Sequence, residues 1–131
     1  MYDVTLLLEK LEQIDDALAK IERRFANISS PDDFLDSDDG LDMLDAIAMM
    51  LIAIGENFKK IDKETEGKML MLAHNYPDIL WSAIKGVRDI LAHQYFNIDA
   101  EEIFHICTAD LQPLRNAVRK MIKELKNGAT S

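Results

Sequence analysis

Arg88, His93 and Tyr95 lie within the segment Gly86-Val87-Arg88-Asp89-Ile90-Leu91-Ala92-His93-Gln94-Tyr95-Phe96, where a cation, an imidazole and a phenol sit among apolar residues. An arginine offers a planar fork of donors that matches phosphate oxygens. A histidine transfers protons near neutral pH. Asp89 stands four residues before His93, so on a helix the two share a face. Arg88 and Tyr95, seven apart, also share one, whereas His93 lies about 140° round the axis from Arg88. Either the helix loosens near His93 or two copies of the segment face each other. Both arrangements aim Arg88 and His93 at one phosphate.

The substrate class that suits this set is RNA, which carries its own nucleophile in the 2′-hydroxyl. A protein then has only to remove that proton, hold the crowded phosphate and protonate the leaving oxygen. His93 would serve as general base or acid, Arg88 would stabilise the charge that builds on the phosphate, and Asp89 would orient the imidazole. No metal is required, and no Cys/His cluster has zinc spacing. The plainer reading of the same residues is an ion pair and a helix cap, with Tyr95 a half-buried packing residue whose hydroxyl is satisfied.

The elements that must position this segment read as helices. Val4, Leu7, Leu8, Leu11, Ile14, Leu18, Ile21 and Phe25 recur at threes and fours, which predicts a helix over about 3–26. Ser29-Ser30-Pro31 breaks it, and the acidic stretch 31–39 reads as a loop whose aspartates suit the start of the next helix. A second helix is expected over about 40–60, burying Leu41, Leu44, Ile47, Ala48, Leu51, Ile54, Gly55 and Phe58. Gly55 inside it suggests the close approach of another helix. A short helix around 68–74 follows, and Pro77 suits the first turn of the helix that carries the Arg-His-Tyr segment. Asp99 reads as a cap with Glu102 three residues later. Pro113 predicts a break or kink near 108–110, after which Leu114, Val118, Met121, Ile122 and Leu125 carry a last helix ended by Gly128. The expected fold is all-α, an antiparallel bundle of four to five helices forming a single domain over 1–127, with 128–131 a frayed tail.

Composition bounds the rest. With 131 residues and 48% hydrophobic content, one core is affordable and two are not. The longest apolar run, 46–54, is too short to span a bilayer. The N-terminus lacks a signal-peptide pattern, and the one cysteine, Cys107, cannot form an internal disulfide. These features point to a cytoplasmic protein. The net charge of -9 opposes nucleic-acid binding at first sight. The acidity is local, however. Eight acids and no Lys or Arg lie between Phe25 and Phe58, and the remainder is near neutral. Basic residues gather late, at Lys85, Arg88, Arg115, Arg119, Lys120, Lys123 and Lys126, and offer a path for RNA, while the plainer reading of both charge runs, favoured for most of these residues, is solvated helix faces. Met43, Met49, Met50, Met69 and Met71 read as core or interface filler. His74 and His105 read as structural, and Trp81 as a core or dimer contact.

The stretch Gly86 to Asp99, Gly-Val-Arg-Asp-Ile-Leu-Ala-His-Gln-Tyr-Phe-Asn-Ile-Asp, closely resembles the signature of HepT-like toxins of the HEPN superfamily. Ile54-Gly55-Glu56 is similar to the family's second-helix motif, Tyr76-Pro77-Asp78-Ile79-Leu80-Trp81 to its lead into the catalytic helix, and Asp110-Leu111-Gln112-Pro113-Leu114 to its approach to the last helix. The resemblance covers about 41–125, and the first helix agrees only in pattern. It departs at Asn57, where the motif usually continues with a small residue, and in the acidic loop. The resemblance implies a homodimeric, metal-independent endoribonuclease without a cofactor, encoded beside a minimal nucleotidyltransferase antitoxin that binds it in a hetero-oligomer. Arg88 and His93 would be catalytic and Asp89 the polar residue beside them. Tyr95 matches the tyrosine that the nucleotidyltransferase modifies with AMP. Glu56 is a candidate supporting residue that would pair with Arg88, with a solvated or capping role as the alternative. The alternative is a non-catalytic HEPN subunit that binds nucleotide or RNA, or serves a nucleotidyltransferase, without cutting; the net charge favours that version. A third reading is a structural helical subunit in which the motif is an accident.

Overall fold

The computed structural model describes residues 3–64 and 98–128, and every regular element among them is helical. The elements are α1 (Val4–Phe25), α2 (Asp32–Leu35), α3 (Asp38–Glu64), α4 (Ala100–His105), a π-helical turn (Ile106–Asp110) and α5 (Leu111–Gly128). The fold is an all-α bundle.

Helix α1 starts where Asp3 turns its carboxylate onto the free amides of Thr5 and Leu6, at 2.9 and 3.4 Å, which satisfies two of the donors that a helix start leaves open. Arg23 and Arg24 sit in its last turn, where cations oppose the helix dipole favourably. Leu7, Leu11, Ile14, Leu18 and Ile21 alternate at four and three, and all are buried. Each such side chain contributes about 1.5–3 kcal/mol when fully withdrawn from water, so this stripe commits α1 to the interior on one side.

Two contacts set the direction of α3 against α1. The Asn57 amide donates to Gln13, and the Arg24 guanidinium donates to the Met50 sulfur. Low numbers on α1 meet high numbers on α3, so the pair is antiparallel. Ion pairs from Glu12, Asp15 and Glu22 to Lys126, Arg119 and Arg115 run in the same inverse order, so α5 is antiparallel to α1 as well. The core is one cluster, built from the α1 stripe, Phe34 of α2, Leu44 to Ile61 on α3, and Ile103 to Met121 on α4, the π turn and α5. Phe25 closes one end, with its ring 6.3 Å from that of Phe34 and 5.3 Å from that of Phe104.

The acidic stretch 31–39 is ordered rather than a loop. The Asp33 carboxylate accepts from the amides of Ser29 and Ser30 and so ties down the turn before α2. Ser37 then caps α3: its hydroxyl accepts from the Gly40 amide at 3.0 Å. Helix α3 therefore begins at Asp38, two residues before the expected start, and it continues to Glu64, beyond the expected end near Lys60. Leu41, expected in the core, is 41% exposed, and Met49, expected as core or interface filler, is 68% exposed and so is not core. Met49 stands on the far side of α3 from Ile47, Ile54 and Phe58, whereas Leu41, seven residues before the buried Ala48, lies at the edge of the buried face in the first turn.

The disruption expected from Pro113 takes a specific form. Asp99 caps α4 through the amides of Glu101 and Glu102, as its spacing predicts. The helix then widens instead of breaking, and the Leu111 amide donates to the Ile106 carbonyl five residues back. The Thr108 hydroxyl supplies a donor to the carbonyls of Phe104 and His105, at 2.9 and 3.1 Å. This wide turn lies just ahead of the proline ring, where a regular turn would bring the ring against the carbonyl four residues back. His105 is exposed and not enclosed between its neighbours. The expected helices around 68–74 and from Pro77 lie outside the described residues.

Gly40 is required where α2 folds back on α3. A Cβ there would stand 2.3 Å from the Asp33 carbonyl oxygen and 2.9 Å from that of Phe34. Both are backbone atoms that cannot swing aside. Gly→Ala inside a helix ordinarily gains up to about 1 kcal/mol, and overpacking of this kind costs about 1–3 kcal/mol or more. Gly40→Ala is therefore expected to lower the midpoint of urea unfolding.

Candidate functional site

Arg88, Asp89, His93 and Tyr95 lie outside the described residues, as do His74 and Trp81. The chain leaves α3 at Glu64 towards them and returns at Ile98, next to the capped start of α4. Glu56 is described. It is an exposed residue of α3, between the buried Gly55 and the half-buried Asn57. Asn57, the position where the second-helix motif departs from its usual small residue, holds Gln13 of α1 by the hydrogen bond that joins the two helices. The departure thus has a local use in helix packing.

The late basic residues are less available to RNA than their clustering in sequence suggests. Arg115 reaches across to α1, where its Nη1 pairs with the Glu22 carboxylate and its Nε lies 3.5 Å from Asp15 Oδ1. That Nε makes no hydrogen bond, so its contact with Asp15 is Coulombic only. Arg119 donates to the same Asp15 oxygen at 3.1 Å, and Lys126 stands 3.3 Å from Glu12. Three of the seven cations proposed for an RNA path are therefore engaged with acids of α1. Lys85 and Arg88 lie outside the described residues.

Cys107 is buried in the π turn, and burial pushes its thiol from 9.0 up to about 12. It is a neutral packing residue at physiological pH and offers no nucleophile. Among the described residues, no three His, Cys, Asp or Glu side chains are grouped so as to hold a metal ion, and no helix is long and apolar enough to cross a membrane.

Comparison with known proteins identifies the bundle. The family described as Ribonuclease HepT-like matches residues 14–121. The chain belongs to the HepT-like ribonuclease family. The HepT-like match starts within α1 and ends within α5, so it takes in both the helical frame and the intervening segment with Arg88, His93 and Tyr95. It also reaches further into α1 than the motifs alone indicate. Two proteins of Methanocaldococcus jannaschii are similar in sequence. "Putative RNase MJ0125" is 32% identical over 81 residues, which cover 62% of this chain and 64% of that protein. "Putative RNase MJ1216" is 31% identical over 81 residues, which cover 62% of this chain and 61% of that protein. The chain thus matches less than two thirds of the length of either relative. No solved structure gives a significant match.

Two predictions concern this frame. Arg115 is 16% exposed, and Lys126 is 59% exposed. Removing a half-buried cation that two carboxylates share costs more than removing an exposed one. Arg115→Ala should lower unfolding stability by about 1–2 kcal/mol, and Lys126→Ala by less than about 0.5 kcal/mol, in parallel denaturant titrations. For Cys107, a folded-state value of about 12 against 9.0 means that the unfolded chain loses its proton first. Stability should fall as pH climbs from 9 towards 12. At pH 8, a disulfide reagent should label the native thiol far more slowly than the thiol in denaturant.

Proposed function

We propose that the chain is a metal-independent endoribonuclease toxin whose catalytic pair is Arg88 and His93. The observation that carries this reading is the HepT-like match across residues 14–121, which encloses Arg88, His93 and Tyr95 at the spacing discussed above. In the reaction, His93 takes the proton of the 2′-hydroxyl and the oxygen attacks the adjacent phosphorus. The P–O2′ bond forms as the P–O5′ bond breaks, and the leaving oxygen receives a proton. The products are a 2′,3′-cyclic phosphate and a 5′-hydroxyl end. Arg88 holds the phosphate oxygens as charge accumulates, and Asp89 keeps the imidazole in its working orientation. Two copies of the chain would bring two such motifs to a shared cleft. This explains how an arginine and a histidine about 140° apart on an ideal helix act on one phosphate. The partner is a minimal nucleotidyltransferase that adds AMP to Tyr95, which puts an anionic group where the RNA phosphate must bind. The active species is taken to be cytoplasmic, with 1–127 as its folded domain.

The net charge of -9 favours a second reading, a non-catalytic subunit that binds a nucleotide or serves the nucleotidyltransferase. Under that reading, Arg88→Ala abolishes nucleotide or partner binding while the wild type cuts no RNA.

The test is cleavage of a labelled RNA pool by purified protein in excess EDTA, with intact mass recorded. Wild type should cut. His93→Ala and Arg88→Ala should each lose at least about 100-fold in rate while keeping the wild-type circular dichroism spectrum. Full cleavage by His93→Ala would sink the assignment. An inactive wild type of unmodified mass would favour the second reading, and one carrying added AMP would be a neutralised enzyme.

A further inference from the structure

The acids of this chain fall into two groups that the structure treats differently. Those of α1 that face α5, Glu12, Asp15 and Glu22, are neutralised by Lys126, Arg119 and Arg115. A second set lies from the end of α2 along α3. Asp36, Asp38, Asp39, Asp42, Asp45 and Glu56 are all exposed, and none pairs with a cation among the described residues. Some of these have a local explanation: Asp38 and Asp39 occupy the first turn of α3, where negative charge suits the helix dipole. That effect fades within one turn, so it does not account for Asp42 and Asp45.

Asp42, Asp45, Met49, Ala53 and Glu56 recur at threes and fours and share the outward face of α3. Leu41 borders this face, and Leu35 stands at the end of α2 beside the start of α3. Leu35 is 54% exposed, alongside Leu41 at 41% and Met49 at 68%. The face therefore combines large apolar side chains with carboxylates that have no cation partner among the described residues, which is the composition of an interaction surface with a charged rim.

We propose that this α2–α3 face docks a protein partner that presents Lys and Arg around a small apolar contact, as a basic amphipathic helix does. Charge complementarity selects that occupant. A second copy meeting the same face would set these carboxylates against themselves across a two-fold axis. RNA would be repelled along the whole face. A metal ion lacks a chelating group, since among the described residues no three acids are grouped to hold one. A basic helix gains from both features: its cations meet the carboxylates and its apolar residues cover Met49, Leu41 and Leu35. Glu56, the candidate partner of Arg88, lies at one end of this face, and the docking proposal rests on Asp42, Asp45, Met49, Leu41 and Leu35, which the catalytic reading does not use.

The test uses the full chain and three labelled helical peptides: Lys/Leu in amphipathic spacing, Lys/Ser at the same charge, and Glu/Leu as the reversed control. Fluorescence anisotropy should show the Lys/Leu peptide binding best and weakening as salt rises. The double substitution Asp42→Lys, Asp45→Lys and the single substitution Met49→Ser should each weaken it about tenfold. Reversing Glu9 and Asp16, exposed acids of α1, should leave binding within about twofold of wild type. Circular dichroism melts of all variants exclude unfolding as the cause. Equal binding by the α3 and α1 variants, or by the Lys/Leu and Lys/Ser peptides, would overturn the proposal. So would sedimentation showing that the α3 substitutions change self-association, or RNA competing with the peptide for these residues. RNA cleavage by the α3 variants should remain at the wild-type level, so a failure of docking is distinguishable from a failure of the ribonuclease reading.

Discussion

The bundle depends on the burial of one stripe of α1. Leu7, Leu11, Ile14, Leu18 and Ile21 are buried, and α1 packs against both α3 and α5 and runs antiparallel to each. With their shared partner removed, α3 and α5 would each expose an apolar face. The same helix carries a second set of residues, Glu12, Asp15 and Glu22, flanking the stripe on the side of α5. The apolar stripe supplies most of the stabilisation. The acids fix which cations of α5 stand opposite, and so set the axial position of the last helix. In this way α1 determines both the energy and the register of the frame that holds the ends of the segment with Arg88 and His93.

The seam between α1 and α5 also changes how the net charge is understood. A value of -9 taken as an average suggests a surface hostile to RNA everywhere. Among the described residues, three cations of α5 are engaged by acids of α1, and the exposed acids without a cation partner are concentrated on α2 and α3. The field is polarised, with one side strongly anionic. A polyanion would be steered away from that side and towards other parts of the surface. The acidic stretch and the ribonuclease family assignment are then compatible.

What could be recognised from sequence depended on the range of the interaction. The limits of α1 were legible to within a residue, because Asp3 and the breaker Ser29-Ser30-Pro31 act locally on an unambiguous 3.6-residue pattern. The family was likewise legible from one short segment, Gly86 to Asp99. The start of α3 was not. Five aspartates near it obscured Ser37, whose hydroxyl makes the cap. Leu41 was misassigned because its spacing fits the buried stripe, yet it stands in the first turn of α3, where the stripe runs out, and is 41% exposed. The pairing of Asp15 with Arg119 joins residues separated by 104 positions, and no local spacing reports it.

The π-helical turn has a consequence for the tolerated length of the chain. Its five-residue hydrogen-bonded loop holds one residue more than a regular α-helical turn. Loss of one residue between Ile106 and Asp110 would leave four in a regular turn, which carry the chain round by about 400°, close to the sweep of the wide turn. The extra residue is thus absorbed in place, and Arg115, Arg119, Val118 and Met121 keep the faces they would have on an unbroken helix. The same loss between Arg115 and Val118 has no such relief and would rotate everything after it by about 100°. Related chains should therefore differ in length by one residue at the wide turn more readily than within the regular turns of α5.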